Sequence, residues 1–200
     1  MTAGWRLLGS AVLIVASAGC VGGPAPRDHF YRLEVSTPTR SGPTLPGVLE
    51  VARFTSDDVL RRTAILRAEP GSPEVMPYGY HFWVNSPTLI LQHALVDYLR
   101  AAGAAETVTT PRAGMNADWN VSGQLYRFDH LPGPEPKVTV EIELGLEKGQ
   151  RRNSKSVVQK IYRAEVSAAD KSFRAAAEAF GNAVGTIFER FTADLRAAAP

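Results

Sequence analysis

The chain has 200 residues, 44% of them hydrophobic, with 22 basic and 20 acidic side chains and a formal charge of +2. That length and apolar content suit one well-buried domain and argue against two. The near balance of charge gives no electrostatic case for nucleic acid, which needs a clustered basic face, and a single cysteine, Cys20, allows no disulfide within the chain.

Residues 1–19 read as a lipoprotein signal peptide. Arg6 is a minimal positive start, Leu7 to Ala18 an apolar run, and Ser17, Ala18 and Gly19 are small residues for signal-peptidase recognition before Cys20. The run is too short for a membrane span, which takes about 20 residues. A thiolate is a strong nucleophile, so Cys20 at a new N-terminus is the predicted lipidation site, with an ordinary secretory peptide as the alternative. Ser17 departs from the branched aliphatic residue usual at its position. Residues 20–28 hold the lipidated cysteine and a Gly/Pro linker whose seven residues after Cys20 reach only about 25 Å. Val21, not Asp, follows the cysteine, which favours outer-membrane sorting with the domain facing the periplasm.

Residues 29–198 form the expected domain. His29 to Val35 alternates as a short strand, Ser36 to Gly47 is a Pro/Gly loop, and Val48 to Phe54 is a central strand. Thr63 to Ala68 and Val75 to Val84 flank turn residues and suggest a hairpin. Ser86-Pro87 opens a helix that Gly103 closes, with Leu91, Leu95, Tyr98, Leu99 and Ala102 on one face. A strand over Thr107 to Thr110 precedes an antiparallel meander of Trp119 to Phe128, Val138 to Glu147 and Ser156 to Val166; the middle segment alternates most strictly. A last helix is expected to open at Ser167 with Asp170 in an approximate capping box. Phe173, Ala177, Phe180, Val184, Ile187, Phe191 and Leu195 line one face of it, and its far end is expected to meet a partner or another subunit. The Gly181 to Gly185 spacing on that helix resembles a close-packing motif.

No residues suggest catalysis. His29, His81, His93 and His130 lie on separate elements without metal-ligand spacing, and Glu141 and Glu143 read as a solvated strand face. No catalytic residue, metal site or cofactor is expected. Tyr78, Tyr80, Phe82 and Trp83 belong to the densest aromatic cluster, a candidate surface for a partner or for packing beneath the helix that follows. Arg61-Arg62 and Arg151-Arg152 read as solvated loop pairs.

The order of these features resembles the ABC-type transport auxiliary lipoproteins, the paraquat-inducible protein C-like family. It runs from the lipobox cysteine through Tyr31-Arg32-Leu33, the strand Val48 to Phe54, and Tyr80-His81-Phe82-Trp83 leading into Ser86-Pro87. Trp119-Asn120-Val121-Ser122-Gly123, the meander and the amphipathic C-terminal helix complete it. The resemblance implies a non-enzymatic α/β (α+β) single domain: a mixed, mostly antiparallel sheet with two main helices, similar to the N-terminal domain of the Tol-system β-propeller protein. It also implies a membrane-held auxiliary part of a lipid transport system whose partner is a mammalian-cell-entry (MCE) domain protein, contributing to envelope integrity. A homo-oligomer is left open. The competing expectation is a structural or secretion-assembly lipoprotein that binds a protein and moves no lipid.

Overall fold

In a computed structural model, the described residues are 25–42, 44–112, 116–149 and 154–198. The signal peptide expected over residues 1–19, Cys20 and Arg151-Arg152 lie outside them. In chain order the elements are β1 (His29–Tyr31), β2 (Leu45–Val51), β3 (Thr55–Ser56), a 3-10 turn (Asp58–Arg61), β4 (Ala64–Ala68) and β5 (Val75–Trp83). After these come α1 (Pro87–Ala102), β6 (Ala105–Thr109), β7 (Trp119–Leu131), β8 (Lys137–Lys148), β9 (Lys155–Ser167) and α2 (Phe173–Ala197). The result is a single domain with one mixed sheet and two helices, the α/β class expected.

Strict alternation builds the longest ladders. β7, β8 and β9 pair antiparallel along almost their whole lengths, as the predicted meander requires. The inward row of β8, Val138, Val140, Ile142, Leu144 and Leu146, is fully buried, and the apolar stripes of both helices join it in one core cluster. Burial of each such side chain contributes about 1.5–3 kcal/mol, so stability concentrates here. The opposite face is open to water: Glu143 accepts from the Tyr126 hydroxyl at 2.7 Å and from Gln159 at 2.6 Å, and Arg163 lies 3.8 Å from Glu141.

The other edge of β7 carries three short parallel strands in turn: β2 beside Trp119 to Val121, β3 beside Gln124 and Leu125, and β4 beside Asp129 and His130. β6 then pairs with β2, while β5 and finally β1 extend the sheet beyond β4. β2 starts earlier than the Val48 expected. Pro46 lacks an N–H, and that of Gly47 goes to the Glu106 carboxylate at 3.0 Å, so the register slips between Leu45 and Val48 without ending the strand. It stops at Val51, whose carbonyl accepts from the buried Gln92 amide of α1 at 2.9 Å.

Both helices differ at their N-termini from the expected caps. The Ser86 side chain makes no cap bond to the backbone and lies 3.3 Å from the Thr88 hydroxyl; Pro87 supplies the start. Ser167 is the last residue of β9. The α2 cap is Ser172, whose hydroxyl accepts from the Ala175 N–H at 3.1 Å, while Asp170 accepts from the Ser172 N–H at 2.7 Å. Gly103 closes α1 at φ 66°, with its own N–H bonded to the Arg100 carbonyl and that of Ala104 to the Leu99 carbonyl, the paired bonds of a Schellman motif.

Strand β1 ends at Tyr31 and does not reach Val35. The alternation of Leu33 and Val35 is real, but these side chains pack partly buried against the core while the chain leaves the sheet as a strap across the helices. Gly181 permits the crossing: a Cβ there would sit 1.9 Å from the Glu34 carbonyl oxygen, whereas one on Gly185 would meet Val35 Cγ1 at 3.6 Å. The small-residue spacing therefore receives the chain's own strap and not a second helix. The far end of α2 also meets its own chain, as Arg196 donates to the Ala102 carbonyl at 2.8 Å and to the Ser41 hydroxyl at 3.3 Å.

Candidate functional site

Two tripeptides echo each other in the sequence, His29-Phe30-Tyr31 and His81-Phe82-Trp83, and parallel pairing of β1 with β5 sets them side by side in register. Because side chains alternate across a strand, each tripeptide sends its outer two residues toward the helices and its phenylalanine to the open face. On the helix side His29 stacks on His81 at 5.2 Å between ring centroids, and His81 stacks on Phe173 of α2 at 3.5 Å. The Tyr31 hydroxyl lies 2.9 Å from His81 Nδ1. Tyr78 packs edge-on against Phe173 at 4.6 Å, and its hydroxyl lies 3.0 Å from His130 Nδ1.

Thus three of the four histidines, spread over separate elements, converge where the chain enters the sheet. Burial pushes the pKa of His81 down, with His29 adding repulsion, and burial likewise lowers that of His130. The Tyr31 and Tyr78 hydroxyls are pushed up by burial, which Arg67 partly offsets for Tyr78. All four changes favour neutral forms. His130 is buried and, among the described residues, its Nε2 has no hydrogen-bond partner and its ring's one hydrogen-bond contact is the Tyr78 hydroxyl. Among the described residues no group of three or more His, Cys, Asp or Glu could hold a metal ion, and none of their helices is long and apolar enough to cross a membrane.

The four aromatic residues singled out in the sequence are divided by the fold. Trp83 is 1% exposed, with its ring 5.2 Å from Phe128 and 5.3 Å from Phe180. Tyr78 is half-buried in the histidine cluster, Phe82 is half-buried beside Phe30 at 5.7 Å, and Tyr80 is exposed. Ser17, Ala18, Gly19 and Cys20 are outside the described residues. The sequence reading missed His29, Tyr31, His81, His130 and Phe173 as one cluster. The echo of His-Phe followed by an aromatic ring was its one available signal.

A second feature is an open groove of about 620 Å³ between the strap and the helices, lined on the helical side by Tyr98, Asn182, Thr186, Glu189 and Arg196. Its walls mix hydroxyls with one cation and one anion and show no activated nucleophile.

A family model for the ABC-type transport auxiliary lipoprotein component matches residues 31–190. Among solved structures, protein XCC0632 from Xanthomonas campestris aligns with a TM-score of 0.74 at 18% identity, covering 85% of this chain and 96% of that one. An uncharacterized protein aligns with a TM-score of 0.65 at 10% identity, covering 85% and 99%. At these identities the likeness shows a shared fold. No curated protein matches the sequence.

Proposed function

Because the chain belongs to the family of ABC-type transport auxiliary lipoprotein components, we propose that it is a non-catalytic, lipid-anchored part of a transport system that moves lipid between membranes. The observation that carries this is the extent of the family match, which runs from the last residue of β1 into α2 and so takes in nearly the whole folded domain. In this reading Cys20 is acylated, residues 1–19 are removed, and the domain sits in the periplasm on the outer membrane. There it docks an MCE-domain protein and helps keep the envelope intact. Each buried CH₂ of an acyl chain contributes about 0.8 kcal/mol, and more than one chain makes the anchor stable. The architecture supports a docking part over an enzyme, since His81 and His130 are biased toward their neutral forms, each beside a tyrosine hydroxyl and each packed against the Phe173 ring.

The primary test is cross-linking in native membranes followed by purification, with an MCE-domain protein expected in the complex; its repeated absence would overturn the partner assignment. Cys20→Ala is expected to abolish acyl labelling and leave the chain unprocessed or mislocalised while the domain still folds. Retention of the lipid label by that variant would sink the anchor.

A further inference from the structure

We propose that the open face at the β1–β5 edge rests directly on the phospholipid surface that holds the chain, so that the domain is oriented and not merely tethered. Phe82 and Val84 share the open side at the end of β5 and its continuation, Phe30 stands beside Phe82 in register, and exposed Tyr80 lies in the register break that separates Pro77 from Phe82 and leaves Tyr78 on the helix side. Phe30 is 63% exposed, Tyr80 47% and Val84 42%. Of the six large hydrophobic side chains exposed among the described residues, these three and Val75 all lie on β1, β5 or its continuation. Elsewhere on the open face the exposed Tyr126 and Ile161 stand singly among charged groups, Glu141, Glu143, Arg163 and Glu165. Exposed Arg27 and Arg32 bracket β1 in the chain, against Asp28, and exposed Arg62 precedes Thr63, whose carbonyl accepts from the Trp83 N–H; cations near a membrane surface are attracted to anionic headgroups.

A lipid surface fits this patch better than a protein does. Three rings and a valine cover far less than the roughly 800 Å² per partner of a stable protein interface. They suffice where an anchor already supplies most of the affinity, and aromatic rings favour the membrane–water boundary. The inference rests on the proposed anchor at Cys20. From there, ten residues to Phe30 reach at most about 35 Å, so β1 is the first part of the sheet to approach the bilayer.

The test uses the full chain in native membranes, with p-benzoylphenylalanine in place of Phe30, in a second version in place of Tyr80, and as a control in place of exposed Ile161. Ile161 lies on β9, five strand spacings or about 24 Å from β1 and four or about 19 Å from β5 across the sheet. After illumination, phospholipid adducts are expected at positions 30 and 80 and not at 161. Predominantly protein adducts at 30 and 80, equal lipid yield at all three positions, or no lipid adduct at any would each overturn the proposal. Acyl labelling of Cys20 in the same samples separates the two assignments. A labelled chain without adducts at 30 and 80 defeats only the docking face, and an unlabelled chain defeats the anchor on which it rests.

Discussion

The β7–β8–β9 meander with α2 and the β1–β5 edge with its strap are held together by different physics. In the first, contiguous strands bury an unbroken aliphatic row against Phe180, Ile187, Phe188 and Phe191, all fully buried. Its polar link between β9 and α2 is partly exposed and charge-assisted: the Tyr162 hydroxyl donates to Asp194 at 2.6 Å, and Lys160 donates to the same carboxylate at 3.0 Å. In the second, short segments far apart in sequence meet through stacked rings, two His–Tyr contacts and a backbone crossing that only a glycine admits. A dry core tolerates little loss of volume, whereas the edge tolerates little added bulk or charge.

Substitutions should separate the two regions. The largest effect is expected from Phe180→Ala, which removes a ring in contact with Trp83 and Phe128 and should cost about 3–5 kcal/mol in urea unfolding. An effect below about 1 kcal/mol would show that the core is not packed as described. Next is Gly181→Ala. Alanine gains about 1 kcal/mol of helix propensity over glycine, but here its methyl would displace the Glu34 carbonyl, and overpacking of this kind costs about 1–3 kcal/mol. Destabilisation with increased amide exchange across residues 32–36 is expected. Gly185→Ala, which meets only ordinary contact at Val35, should be neutral or stabilising, and equal effects of the two would break the strap assignment.

The smallest and most diagnostic contrast is in pH. The folded-state pKa values of His81 and His130 are depressed, so below their ordinary value of about 6.5 the unfolded chain binds more protons than the folded one. Stability of the edge is fully present above that pH and is lost as pH falls through the lowered values. Asp194 is depressed by the Tyr162 hydrogen bond, then by Lys160. Its contribution is present above the ordinary carboxylate value of about 3.9 and is lost only in stronger acid. Hydrogen exchange between pH 7 and 5 should therefore show protection falling in β1 and β5 before β8. His81→Gln with His130→Gln should flatten that slope, and uniform loss across both regions would contradict the division.

How much was legible in the sequence follows the same line. The meander and both helices could be read because alternation over a dozen residues and steps of three and four state which face is buried. Parallel pairing leaves no such mark. Nothing in Val48 to Phe54 or Thr63 to Ala68 says that each lies beside a different stretch of β7, and β3, at two residues, is too short to carry a period. Leu33 and Val35 alternate as strand residues do, yet the partner that buries them is a helix surface. The histidine cluster was hidden because each member is ordinary in its own element, and only the β1–β5 register, the reach of Tyr78 to β7 and the packing of Phe173 join them.

The position of β7 in the chain also sets an order of events. Strands β2, β3 and β4 all need its edge, and Val48 bonds to Asp118 from 70 residues away. Before β7 is available, β2 can pair only with β6 and β4 only with β5, and nothing joins these pairs into one sheet. Long-range pairing of this kind is slow and leaves strand edges exposed. In refolding, amides of β7 to β9 are thus expected to gain protection before those of β2 and β6, and the N-terminal strand β1 is expected to be the last to find its place.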